Sequence, residues 1–157
     1  MPSGKITVRK ARIEDVPSIY DLLRPYVASG DVLPKTKIQL YANIRDYFVA
    51  VDDQGQVVGT AGLHICWSDL AEVRSVAVSN DLKGQGLGTA LVESCLEEAK
   101  TMGLTRAFVL TNKDSYFSRL GFTEALREEM PLKIWMDCVK CIKYPDECDE
   151  VPMIHLL

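Results

Sequence analysis

Apolar and polar positions follow two periods along this chain. A period of two marks strands, and a period near 3.6 marks helices. Ile6 and Val8 alternate with polar residues and predict an opening strand over residues 5–11. Ile19, Leu22, Leu23 and Tyr26 fall at helical spacing and predict a helix over Val16–Ala28, with Pro17 acceptable in its first turn. Gly30 and Pro34 break that pattern. Ile38, Leu40, Tyr41 and Ile44 predict a shorter helix over residues 35–44. Tyr47–Val51 and Val57–Trp67 read as strands joined by the turn-forming residues Asp52 to Gln56, and Leu70–Val78 reads as the next strand. Leu91, Val92, Cys95, Leu96, Ala99 and Met102 share one helical face and predict a helix over residues 88–102 that stops at Gly103. A strand over residues 107–111 and a short helix over 115–120, ending at Gly121, complete the pattern. Strands and helices in this order predict an α/β domain with a mixed sheet.

The junction between the fourth strand and the long helix carries the most chemistry. Glu72-Val73-Arg74-Ser75-Val76-Ala77-Val78 runs into Lys83-Gly84-Gln85-Gly86-Leu87-Gly88-Thr89. A glycine-rich turn opening a helix offers unpaired N–H groups at the positive end of the helix dipole, which suits a phosphate-bearing ligand. The G-x-G-x-G spacing is not the G-x-G-x-x-G of a dinucleotide site, and Gly88-Thr89 lacks the lysine of a P-loop.

This unit resembles the acetyl-coenzyme A site of the GNAT N-acetyltransferases, whose loop reads Arg/Gln-x-x-Gly-x-Gly/Ala; lysine at position 83 is the one departure. Arg9 to Val16 resembles the family's first strand and helix start, Val57 to Leu63 its third strand, and Ser115 to Phe122 its late helix and Gly-Phe turn. Within the family the chain is similar to the acetyltransferase domain of N-acetylglutamate synthases, particularly the short bacterial form. Val32 to Leu40, Ala61 to Arg74 and Phe108 to Thr111 carry that similarity, and the tail from Pro131 to Leu157 matches less distinctly. The resemblance implies a GNAT fold, with a mixed, mostly antiparallel central sheet flanked by helices, and acetyl-CoA as co-substrate without a required metal.

Composition narrows the class. At 157 residues the chain suits a single domain over 1–157, with ordinary globular contents of 47% hydrophobic and 25% charged residues. A net charge of −4 gives no basic footprint for nucleic acid. No apolar run approaches a membrane span and Met1 to Lys5 has no signal core, so a cytoplasmic location is expected. The expected partner is a small amino-acid substrate, with a homodimer left open. Five cysteines without a secretory signal argue against disulfides. Cys66 and Cys95 read as core residues; Cys138, Cys141 and Cys148, with His155, read as a zinc knuckle or as reduced thiols.

Acetyl transfer to an amine needs a base, a stabilised oxyanion and held reactants. Regular alternation would put Glu72, Arg74, Val76 and Val78 on one strand face, and Val73, Ser75 and Ala77 on the other. The resemblance makes Glu72 the general base; the alternative is a structural ion pair with Arg74. It makes the backbone of Val76 and Val78 the strand that pairs with the pantetheine arm, with the Val76 N–H polarising the thioester carbonyl. Val76, Ala77, Val78, Lys83, Gly84, Gln85, Gly86, Leu87, Gly88, Thr89, Asn112 and Phe117 are the implied cofactor contacts. Many GNAT enzymes have a tyrosine acid four residues before the Gly-Phe glycine, but Phe117 stands there, and Tyr116 would point differently. Lys35 and Arg74 are the cations placed near the acceptor. Lys35 otherwise reads as a solvated helix start, His64 as a pocket or core residue, and Trp67 as packing.

These readings imply glutamate N-acetylation at the start of arginine synthesis, with L-glutamine as a second acceptor. The alternatives are acetylation of another small amine or a protein N-terminus, and a non-catalytic acetyl-CoA sensor.

Overall fold

The computed structural model describes residues 5–126 and 151–157. Strands β1 (Thr7–Lys10), β2 (Tyr47–Val51), β3 (Val57–Trp67), β4 (Leu70–Val78), β5 (Arg106–Thr111), β6 (Thr123–Glu124) and β7 (Val151–Leu156) form one sheet among these residues, in the order β1-β2-β3-β4-β5-β7-β6. Every neighbouring pair is antiparallel except β4 and β5. That parallel pair needs a crossover, which helix α3 (Leu87–Thr101) provides. This is the GNAT fold expected from the resemblance.

The sheet has a core on each face. Leu91, Val92, Cys95, Leu96 and Ala99 of α3 are buried against Ala61, Leu63, Ala71 and Val73. Burial inside this cluster pushes the Cys95 thiol up to about 12, so it packs as a small hydrophobe. Met102, expected on the same face, is exposed, because the helix has already ended at Thr101. On the other face Val16, Ile19 and Leu23 of α1 (Val16–Ala28) and Leu40 of α2 (Lys37–Ala42) pack on Tyr47, Val49 and Ala77.

Helix α2 is shorter than its periodicity predicts, and its start is fixed by a capping box. Thr36 Oγ1 accepts the Gln39 N–H at 3.1 Å, and Gln39 Oε1 accepts the Thr36 N–H at 2.9 Å. Lys35 is thereby left on the preceding loop. Only one side of so short a helix is buried, so Ile38 and Tyr41 are exposed, contrary to the pattern reading.

The predicted strands over 47–51, 57–67 and 70–78 match the observed elements, and α1 matches over Val16–Ala28. Strands β6 and β7 carry no clear alternation, and the sequence pattern does not predict them. Cys138, Cys141 and Cys148 lie outside the described residues. His155 sits on β7, donating from Nδ1 to the Leu156 carbonyl at 2.6 Å, with its ring edge-on to Phe122. Among the described residues no helix is long and apolar enough to cross a membrane.

Candidate active site

β4 and β5 pair only at Leu70–Arg106, Ala71–Ala107 and Glu72–Phe108. Beyond Glu72 the two strands part and leave a cleft of about 700 Å³ between Val73–Val78 and Val109–Lys113. The parting coincides with a bulge. Thr60 pairs with Ala77 and Gly62 with Arg74, so two steps along β3 face three along β4. The extra residue is at Ser75, whose φ of 56° is unusual for a residue with a side chain.

The bulge overturns the alternation expected from the sequence. Ala71 and Val73 pack on the α3 side, as alternation requires, but so do Val76 and Val78. Ala77 packs on the α1 side instead. Glu72 and Arg74 therefore share one face while Val76 and Val78 lie on the other. Ser75 Oγ meets the buried Tyr47 hydroxyl at 3.4 Å. Tyr47 lies over Gly62, where an added Cβ would stand 3.0 Å from its ring. Burial raises the Tyr47 hydroxyl above its ordinary range, against the pull of Ser75 and Arg74.

Arg74, Glu72, Asp46 and His64 form a cluster of charged and polar groups. Arg74 Nη1 is 3.6 Å from Glu72 Oε1, and Arg74 Nη2 is 3.9 Å from Asp46 Oδ2. Asp46 Oδ2 also meets His64 Nδ1 at 2.7 Å, so His64 is a paired residue at the rim of this cluster. The Arg74 Nε is buried and has no hydrogen-bond partner among the described residues. Lys35 and Arg74 both line the cleft.

At the other end of the cleft stands the glycine loop. Gly84 and Gly86 each hold φ near 80°, and Gly86 is the N-cap of α3 without a side-chain cap. Space does not demand these two glycines, since a Cβ on either would meet nothing within 4 Å; the backbone conformation does. Gly88 differs, because its added Cβ would stand 3.3 Å from the Tyr116 hydroxyl. The uncapped first turn of α3 thus presents open N–H groups to the cleft, and Lys83 brings a positive charge beside it. A pyrophosphate fits this arrangement.

Of the expected site residues, Glu72, Arg74, Lys35, Val76, Ala77, Val78, Lys83, Gly84, Gly86, Leu87, Gly88, Thr89, Asn112 and Phe117 all line the cleft. Gln85 is exposed on the loop and is not part of the lining. Phe117 is nearly buried, edge-on to Phe122. Tyr116, expected to point elsewhere, also reaches the cleft, and its hydroxyl lies 3.0 Å from Thr89 Oγ1. Trp67, expected to pack, is exposed. Tyr26, whose helical spacing predicts a core-facing residue, lines the cleft and bonds the main chain of Val78. Its helical spacing gave no sign of this.

Comparison with known proteins agrees with this geometry. The acetyltransferase (GNAT) family model matches residues 16–122. An amino-acid acetyltransferase from Mycobacterium tuberculosis is 44% identical over 119 residues, covering 74% of this chain and 68% of that protein. A crystal structure of a Mycobacterium tuberculosis protein in complex with CoA and NLQ superposes with a TM-score of 0.84 at 33% identity, covering 96% of this chain and 99% of that one. N-acetylglutamate synthase from Neisseria gonorrhoeae, complexed with coenzyme A and N-acetyl-glutamate, shares the fold with a TM-score of 0.88 at 24% identity; the match covers 99% of this chain and 36% of that one. With its splayed β4–β5 cleft and glycine-capped α3, the chain belongs to the GNAT family and is an N-acetyltransferase.

Proposed function

We propose that this enzyme transfers the acetyl group of acetyl-CoA to the α-amine of L-glutamate, with L-glutamine as the next acceptor, in the cytoplasm and at the start of arginine synthesis. The observation that carries the acceptor class is Arg74. A largely buried guanidinium whose Nε has no partner among the described residues, and whose two ion pairs are long, is a poor end state, because buried donors are normally satisfied. A carboxylate arriving from the cleft supplies the missing acceptor, and a guanidinium can hold it through two parallel bonds. The relatives named for amino-acid acetylation support the same class.

In this reading Lys35, on its loop, meets the second carboxylate. Glu72 takes a proton from the acceptor's ammonium, directly or through a water. The freed amine attacks the thioester carbonyl carbon, with the carbonyl polarised by the Val76 N–H. The attacking nitrogen gives up its second proton to solvent as the carbon–sulfur bond breaks and the coenzyme leaves as a thiolate. A thiol of pKa about 8.5 is a fair leaving group near neutral pH, so no tyrosine acid is assigned. The open amides at the start of α3, with Lys83, hold the pyrophosphate.

The test is release of free thiol from acetyl-CoA over glutamate, glutamine, aspartate, polyamines and peptides. Glutamate should give the highest kcat/KM. Turnover confined to a polyamine or a peptide would reject the amino-acid reading and leave the acetyltransferase. No turnover with any amine, alongside tight CoA binding, would favour a sensor.

A further inference from the structure

The cleft-facing main chain of Val78 is already engaged. Tyr26 donates its hydroxyl to the Val78 carbonyl at 2.7 Å and accepts the Val78 N–H at 3.2 Å. The next residue, Ser79, donates to Val58 of β3, so the polar groups of Val78 point away from that neighbour. β5 does not reach them either, since its pairing with β4 stops at Glu72. One hydroxyl therefore does for Val78 what a strand's peptide group does in a ladder, giving one hydrogen bond and taking one.

Tyr26 is also tied to both ends of the site. Lys83 of the glycine loop lies over its ring, with Nζ 4.9 Å from the centroid. Its carbonyl accepts the N–H groups of Asp31 at 2.9 Å and Val32 at 3.2 Å, at the start of the loop that carries Lys35.

We propose that the Tyr26 hydroxyl is a stand-in for the arm of acetyl-CoA, which binds at Val78 by displacing it. The inference rests on the reading of the β4 edge as the strand that takes the arm. A hydroxyl already within hydrogen-bond distance of both Val78 groups fills the place of the arm's amide, so the two exclude each other there. The exchange replaces two hydrogen bonds with two, and Val78 has a partner in both states. It also draws the Tyr26 ring from beneath Lys83, releasing that ammonium toward the pyrophosphate. Tyr26 is thus a positioning residue that links filling of the cofactor cleft to the acceptor loop.

Tyr26→Phe removes the hydroxyl and retains the ring. Calorimetric titration with CoA should show a Kd lower by about three- to tenfold, the size of one net hydrogen bond. The ligand-free variant should also melt below the wild type. In the wild type, with ring-labelled tyrosine, saturation by CoA should move the Tyr26 resonance toward that of a free tyrosine. A folded variant that binds CoA equally or more weakly overturns the proposal, and so does an unmoved Tyr26 resonance. A wild-type protein that does not bind CoA at all rejects the reading of the cleft, and the stand-in falls with it.

Discussion

Glu72 and Arg74 stand two residues apart on β4, both largely buried, with 3.6 Å between Oε1 and Nη1. That separation is an ion pair without a good hydrogen bond. Both side chains line the cleft, where the carboxylate can meet an ammonium and the guanidinium an anion. An α-amino acid carries both charges on one carbon, which matches a pair of this size. Ordinary alternation puts Glu72 and Arg74 on one face, and the bulge at Ser75 then turns Val76 and Val78 to the other.

Replacing the proposed base separates its two readings. Glu72→Gln should keep CoA binding and lower kcat by ~10²–10⁴-fold, the usual worth of a positioned base. The deficit should shrink as pH rises, because the acceptor then arrives already neutral. Steady-state rates from pH 6 to 9 read this. A near-normal rate at pH 7 would leave Glu72 as only an ion-pair partner of Arg74.

The glycine loop can be tested without disturbing the core. An added Cβ at Gly86 meets nothing, so Gly86→Ala costs only the left-handed backbone, about 1–2 kcal/mol. Its melting temperature should still rise with CoA. Gly86→Asp carries the same backbone cost and sets a carboxylate before the α3 amides, where the pyrophosphate belongs, so its CoA-induced shift should vanish. Equal shifts in the two variants would move the pyrophosphate to another site.

How much of this was legible in the sequence differs by residue. The strand–glycine–helix unit was readable because two periods meet at a turn, and it pointed to Glu72, Lys83, Gly84, Gly86 and Gly88, which line the cleft, but also to Gln85, which does not. The bulge was not readable: Ser75 has no property that marks a positive φ, and the extra step exists only against β3. Lys35 could have been placed better, since Thr36 and Gln39 already spell the capping box that starts α2 two residues later. Tyr26 and Tyr116 were beyond sequence patterning. Each has an apolar ring at a core-compatible spacing, and what sets it apart is a hydroxyl that meets a partner 52 or 27 residues away. Asp46 and His64 likewise meet only through the β2–β3 pairing.

The proposed acceptor subsite gives a prediction in KM. Arg74→Met should raise KM for glutamate by ~10–100-fold, from the loss of a charge-assisted hydrogen bond worth about 1.5–3 kcal/mol. Lys35→Met should do so more weakly, because its long flexible stem on a loop holds a carboxylate less firmly. CoA affinity, measured by titration, should hardly change in either. A weakened CoA complex in Arg74→Met would mean that the guanidinium supports the cleft wall.

The last prediction concerns stability away from the cleft. Asp15, buried at the turn before α1, accepts two hydrogen bonds from Arg9, at 2.8 and 3.1 Å, and one from the Arg12 N–H at 2.7 Å. Burial pushes its carboxyl up, but Arg9 and the Arg12 N–H together outweigh burial and hold it below the usual 3.8. A carboxyl lowered by folding stabilises the folded state above its unfolded pKa, and that contribution fades as pH falls through the lowered folded value. The wild type should therefore keep this contribution at pH 5 to 7 and lose it progressively below about pH 4. Asp15→Asn should cost ~2–4 kcal/mol at pH 7, because Arg9 is left without its partner in a partly buried place. The gap between wild type and variant should narrow on acidification, which urea melts at pH 7, 4 and 3 would follow. The CoA-induced shift should persist in the variant, since Asp15 does not line the cleft. A gap that stays constant from pH 7 to 3 would show that the carboxyl titrates alike in the folded and unfolded chains.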